Sequence, residues 1–342
     1  MQKRIGTQTV KLNSPVNIIS SASIVGTKEG VGPLGDFFDV IMPNAEWGEE
    51  TWEKTESKMQ NHAALLAIKK AKCEPKDIGY IIAGDLLNQC IGSGFGLRSL
   101  NIPYFGVYGA CSTMIESMSL SAMMIDGGFS DLCVAVTSSH FCTAERQYRT
   151  PLEYGGQRTP TAQWTVTGSG AMVLGNDTTH NSAEIMPRIT HITTGKMVDM
   201  GIKDPNNMGG AMAPSAVDTL VSHFNDSGRE PNFYDIILTG DLGLIGKNIV
   251  VDLMKKEGYD FSNNYSDCGC MIYDMLSQDV HAGGSGCGCV SVTLCGYVLN
   301  LMRKQTLKNV LIVGTGALLS PTSTLQGESI PGIAHAVALT IE

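Results

Sequence analysis

The feature that most narrows the possible folds is a repeat. IIAGD ends at Asp85, and IILTGD ends at Asp241. GACSTMIESMSLSAMM, which carries Cys111, is echoed by GSGCGCVSVTLCGYVL, which carries Cys287. DLCVAVTSS is echoed by NVLIVGTGA. Each half reads as strand, small-residue turn, apolar helix, strand. An internally duplicated α/β unit is the simplest account, with halves at residues 1–182 and 183–342. Both repeated helices are rich in apolar and small residues, so both are expected in the interior. Gly, Ala and Ser at their entries let them pack closely, back to back at the centre.

Other runs fit the same plan. VNIISSASIVG and AEIMPRITHITTG read as the first strand of each half, and TVTGSGAMVLG and IAHAVALTIE as the last. TWEKTESKMQNHAALLAIKKAKC and APSAVDTLVSHFND read as amphipathic helices. At 342 residues, 43% hydrophobic and 17% charged, the chain can bury a large core and is not of the disordered class. A net charge of −9 without any Lys/Arg cluster argues against a nucleic-acid surface. The start, MQKRIGTQTVKL, has no apolar h-region, and no stretch reaches the roughly 20 apolar residues of a membrane span. Neither a signal peptide nor a transmembrane segment is expected.

Ten cysteines in such a chain do not read as a disulfide framework. Cys268/Cys270 and Cys287/Cys289 have a spacing that sends helical side chains to different faces, so no metal site is expected. GSGFG lacks the strand–turn–helix context of a nucleotide fingerprint.

Candidate chemistry gathers around Cys111. It follows Gly109 and Ala110 at the mouth of a helix. Free N–H groups there favour a thiolate, and the expected pKa lies well below about 8.5. The alternative is a small packed thiol. His281 lies in a glycine-rich loop before the second buried helix. It can share a proton with Cys111 or donate to a carboxylate. His140, Arg149 and Arg158 follow the strand DLCVAVTSS, at the end of the sheet where α/β folds hold ligands. Arginine suits a carboxylate because its fork binds both oxygens. Asp85 and Asp241 end equivalent strands; they either cap the helices that come after them or meet a hard cation.

The arrangement resembles the thiolase fold, a five-layered α-β-α-β-α sandwich of two duplicated halves. Cys111 falls where that superfamily places its nucleophile, and His281-Ala-Gly-Gly-Ser-Gly is similar to its His-Pro-x-Gly-x-Ser-Gly segment, one residue shorter. Two departures stand out. Ketoacyl synthases carry a histidine just past the strand that here ends TGDLG, where this chain has Gly240 and Asp241. Thiolases carry a second cysteine in a turn that here reads VGTGALLS. A condensing enzyme needs a donor at the developing enolate or oxyanion, so condensation is disfavoured.

Longer segments narrow the resemblance. SSHFCTAERQYR, EYGGQRTPTAQWTVTGSGAMVLG, DVHAGGSGCGC and VGTGALLSPTSTLQGESIPGIAHAV are similar to the stage V sporulation protein AD family of endospore formers. That resemblance implies a thiolase-like fold turned to binding dipicolinic acid (pyridine-2,6-dicarboxylate), free or with calcium, for its uptake into the developing spore. Cys111, His281, His140, Arg158 and Asp241 are then the expected ligand-binding residues, with no covalent cofactor and no resident metal. The implied partners are membrane proteins of the same sporulation operon and a second copy of the chain. The implied location is peripheral, on the cytoplasmic face of the forespore or spore inner membrane. The rival reading is an acyltransferase of the ketoacyl synthase III type, acting on a coenzyme A thioester with Cys111 and His281 as its catalytic pair.

Overall fold

The computed structural model describes residues 3–148, 158–176 and 185–341. The expected division between residues 182 and 183 lies outside the described residues, as does Arg149. The described residues form the strands β1 (Thr9–Val25), β2 (Val40–Ile41), β3 (Tyr80–Gly84), β4 (Tyr104–Gly106), β5 (Leu132–Ser139), β6 (Trp164–Thr165), β7 (Gly168–Gly175), β8 (Arg188–Thr193), β9 (Ile236–Thr239), β10 (Tyr265–Asp267), β11 (Gly284–Ser285), β12 (Asn309–Ala317) and β13 (Gly332–Thr340). The helices that matter for the site are α1 (Trp52–Lys70), α2 (Thr113–Asp126), α3 (Phe141–Tyr148), α4 (Met208–Ser227), α5 (Gly243–Lys256) and α6 (Cys287–Val292). A π-helical stretch, Thr293–Val298, carries α6 on to Leu299–Arg303.

The main sheet path runs in the order β10-β9-β12-β13-β8-β1-β7-β5-β3-β4. Cut between β8 and β1, this path gives two five-stranded sheets of the same plan. In each, three parallel strands (β4, β3, β5 or β10, β9, β12) meet an antiparallel one (β7 or β13) and then the first strand of the half. The join is β1 itself. Its early residues Thr9–Lys11 pair with β8, and its later residues through Val25 pair with β7.

Three large apolar clusters fill the spaces between five layers. The outer one of the first half packs Met59, Ala63, Ala67 and Ile68 of α1 on β1, β3, β5 and β7. Its counterpart packs Met212, Ala216, Leu220 and Phe224 of α4 on β9, β12 and β13. The middle one holds Met114, Ile115 and Met118 of α2 with Val290 and Val292 of α6, between both sheets. The duplicated α/β unit read from the repeat, and the layered sandwich that the resemblance implies, are therefore the observed fold. Glycine is what lets the central helices lie so near the strands. A Cβ on Gly170 of β7 would stand 2.4 Å from the Ser291 carbonyl oxygen of α6, and one on Gly316 of β12 would stand 2.3 Å from that of Gly109. β4 is short and exposed throughout, an open edge of the first sheet.

Candidate functional site

The approach to α2 is a sharp turn. Ala110 takes a φ of +50°, a region that costs any residue with a Cβ. Cys111 comes next, and the helix begins at Thr113. The N–H groups of Ser112 and Thr113 donate back to the carbonyls of Gly109 and Ala110. The turn thus consumes donors that a thiolate would need. Cys111 faces an acid instead: its thiol lies beside the Asp241 carboxylate and 4.0 Å from Ser285 Oγ. Burial first, then the charge of Asp241, pushes the thiol well above its ordinary range. The expected depression of the Cys111 pKa is overturned, because desolvation and a carboxylate outweigh the helix terminus.

Asp241 is held from three sides. Its Oδ1 accepts from the Thr315 hydroxyl at 2.7 Å, and its Oδ2 accepts from Ser285 Oγ at 3.0 Å and Gly286 N–H at 3.1 Å. Burial raises its pKa, against these hydrogen bonds. It does not cap α5. Asp267 does so, accepting from the N–H groups of Leu242 and Gly243 at 2.9 Å. Asp85, at the equivalent strand end, does cap the segment after it, accepting from Leu87 N–H at 2.9 Å and Ser93 N–H at 2.7 Å.

A cavity of about 130 Å³ opens in front of Cys111. Cys111, Ser285, Gln163, Thr165, Tyr108 and Tyr148 contribute to its wall, together with Asn206 and Glu145. Gln163 Nε2 donates to the carbonyls of Asp241 and Gly284 at 2.6 and 2.8 Å, while its buried Oε1 has no partner among the described residues. Tyr148 donates to the Leu86 carbonyl at 2.7 Å, and its oxygen lies 3.2 Å from that of Tyr108.

The other expected site residues lie elsewhere. Successive residues of a strand point to opposite faces, so Gln163 and Thr165 line the cavity while Trp164 turns away. Behind that wall the Trp164 ring stacks on Phe141 at 3.7 Å, and the Arg158 guanidinium sits 4.5 Å from it. Arg158 also donates to the Asp279 carbonyl and carboxylate, at 2.9 and 3.2 Å. His281 has a φ of +52° and meets Thr159 O through Nδ1 at 2.6 Å and Asp279 through Nε2 at 3.2 Å. His140 is buried, bonded to Ala45 O and Cys142 N–H, and desolvation lowers its pKa. None of the three lines the Cys111 cavity. The arginine and both histidines are drawn to backbone groups and a carboxylate of their own surroundings, and the strand β6 stands between Arg158 and the thiol.

Comparison with known proteins fits the fold. A family model described as "Stage V sporulation protein AD (SpoVAD)" matches residues 6–340. The chain belongs to that family. It is 43% identical over 335 residues to the stage V sporulation protein AD of Bacillus subtilis (strain 168), covering 98% of this chain and 97% of the relative. Among solved structures it resembles 3-oxoacyl-[acyl-carrier-protein] synthase III from Aquifex aeolicus VF5, with a TM-score of 0.59, 13% identity, and coverage of 95% of this chain and 99% of that one. A variant of Xanthomonas campestris OleA with bound lauric acid and lauroyl-CoA gives 0.60 and 16%, over 96% of this chain and 99% of that one. These likenesses establish a thiolase-like fold and a sporulation protein. Among the described residues no helix is long and apolar enough to cross a membrane.

The residues that sequence reasoning did not single out are Gln163, Ser285, Thr315 and Asp267. Gln163 stands in TAQW and Thr315 in VGTGA, where polar residues inside apolar strands were the available signal.

Proposed function

We propose that the Cys111 cavity binds dipicolinate as its calcium chelate and serves the loading of that compound into the developing spore. The observation that carries this reading is the charge of the wall. Among its described lining residues there is no Lys, Arg or His. A free dipicolinate dianion would meet the Asp241 carboxylate behind Cys111, and none of the described lining residues is a cation that offsets this repulsion. Calcium makes the ligand neutral. It takes 6–8 oxygen ligands, of which dipicolinate supplies two carboxylates beside its ring nitrogen, and Gln163 Oε1 is an oxygen donor suited to the remainder. Size supports the same choice: about 130 Å³ is small beside the about 300–1,000 Å³ of drug-sized sites and suits a single ring.

The acyltransferase reading needs a thiol that ionises readily, and the Asp241 contact works against it. The open edge of β4, with Tyr104 and Phe105 40% and 48% exposed, is the surface we assign to pairing with a second copy. Membrane proteins of the same operon, at the forespore or spore inner membrane, then receive the chelate. Calorimetry of the purified protein against dipicolinate, with calcium and with a chelator, tests the reading. Binding that needs calcium and weakens roughly tenfold in Gln163→Leu supports it. A protein that ignores dipicolinate under both conditions and forms an acyl adduct on Cys111 from an acyl-coenzyme A overturns it in favour of the acyltransferase.

A further inference from the structure

A second cleft, of about 360 Å³, lies at the far end of the sheets. The link between the two sites is α2. Cys111 stands just before its first turn, and Asp126, its last residue, accepts from the N–H groups of Asn13 and Ser14. A helix of that length spans about 20 Å, so the two sites face different solvent. The cleft is lined by Lys11 and Asn13 from β1, Thr190 and His191 from β8, Thr340 from β13, and Arg229 beyond α4.

Its charges are arranged without their usual partners. Lys11 and His191 sit directly opposite each other across β1 and β8, a pairing of basic residues that sheets avoid. The register slips just after Lys11, which leaves the next residues of β1 out of the ladder and beside the cleft. Burial, with Arg229 and Lys11 nearby, lowers the His191 pKa to about 4, so the ring is neutral and the cleft carries the charges of Lys11 and Arg229. Among the described residues neither of these forms an ion pair. Arg229 instead lies 4.3 Å over the Phe233 ring and donates to Tyr234 Oη at 3.3 Å. Among the described carboxylates near the cleft, Asp226 accepts from the N–H groups of Thr7, Gln8 and Thr9, Asp235 from those of Lys308 and Asn309, and Asp126 from those of Asn13 and Ser14 while pairing with Lys3. Thr340, 8% exposed, lines the cleft, and its Oγ1 has no hydrogen-bond partner among the described residues.

Two cations without ion pairs and a buried unpartnered hydroxyl converge on a space of small-molecule size. We propose that this cleft is a binding site for a phosphate group, held by Lys11 and Arg229 with the Thr340 hydroxyl donating to one oxygen. The group can belong to inorganic phosphate or to a lipid headgroup, and exposed Phe129 and Phe233 lie on the same end of the molecule. The test has two arms on the full chain. In one, inorganic phosphate is titrated against chloride at equal ionic strength and thermal unfolding is followed. In the other, the protein is sedimented with phosphatidylglycerol vesicles and with phosphatidylcholine vesicles.

Phosphate-specific stabilisation assigns the free anion, and phosphatidylglycerol-specific sedimentation assigns the headgroup. In either case Lys11→Ala should weaken binding roughly tenfold or more, and Thr340→Val roughly fivefold. Both variants are chosen to leave the apolar clusters untouched, and circular dichroism checks that they fold. The proposal is overturned when neither arm exceeds its control, or when binding survives unchanged in Lys11→Ala and Thr340→Val.

Discussion

Cys111 and Cys287 each stand at the entry of the central helix of their half, yet one opens on a cavity and the other is sealed. Cys111 faces Asp241 of the second half and lines the pocket. Cys287 is fully buried, its thiol donates to Ala110 O at 3.3 Å, and the acids that bear on it most are Asp85 and Glu56 of the first half. The difference comes from which acid caps the neighbouring helix. In the first half Asp85 does, so its carboxylate is spent on backbone N–H groups. In the second half Asp267 does, and Asp241 is released to face the thiol. Duplication supplies two acids at equivalent strand ends; the capping assignment decides which of them belongs to a site.

The largest expected effect is on stability. Asp85→Ala strands two buried N–H groups and the Ser93 hydroxyl, and should cost about 3–5 kcal/mol in urea unfolding. Asp241→Asn keeps an acceptor oxygen and should cost about 1–2 kcal/mol. Equal losses in the two variants would break the distinction between a cap and a site acid.

Next is the thiol. Asp241→Asn removes the carboxylate beside Cys111 and should speed its alkylation by iodoacetamide roughly tenfold, read by mass spectrometry. Asp85→Asn should leave the Cys111 rate unchanged. An identical response to both variants would mean that the two acids act only through general loosening.

The pH profile sharpens the comparison further. Burial, then the charge of Asp85, pushes Glu56 to about 8, and burial, with Asp241 nearby, pushes Asp267 to about 7. Folded-state values above the ordinary 4.5 and 3.8 mean that the folded protein keeps protons the unfolded chain has released. Stability contributed by these acids is complete below those ordinary values and is lost as pH rises through about 7 and 8. Melting temperature should therefore fall between about pH 5 and pH 8. Glu56→Gln should flatten the first-half contribution and Asp267→Asn the second. A profile that rises over this range would contradict the assignment.

The smallest effect concerns the residues that the structure keeps out of the cavity. Arg158→Ala and His281→Ala should change affinity for calcium dipicolinate less than about threefold, since neither lines the pocket. A loss of tenfold or more in either would restore the cationic site that the sequence led one to expect.

The sequence announces the parts of the molecule that repeat. The pairing of IIAGD with IILTGD, and of two apolar helices entered through small residues, is a consequence of packing. It therefore reveals the sandwich, the central helices and the place of Cys111. The side-chain direction of Trp164 and its neighbours depends on a two-residue strand, β6, pairing with β11 far along the chain. No local pattern encodes that pairing, so Arg158 and His281 could not be placed on the correct side of it. Asp241 and Asp267 posed the same difficulty: either carboxylate suits a helix cap by type, and long-range packing chose between them.

The central claim is that Cys111 forms the wall of a binding cavity for calcium dipicolinate and is not a reacting thiol. The most direct measurement is protection of Cys111 from slow iodoacetamide labelling, read by mass spectrometry with dipicolinate, with calcium, and with both. The account predicts saturable protection only when both are present, with Cys287 labelling unchanged. Labelling of Cys111 that is indifferent to dipicolinate and calcium together, and is instead blocked by acylation from a coenzyme A thioester, would contradict it.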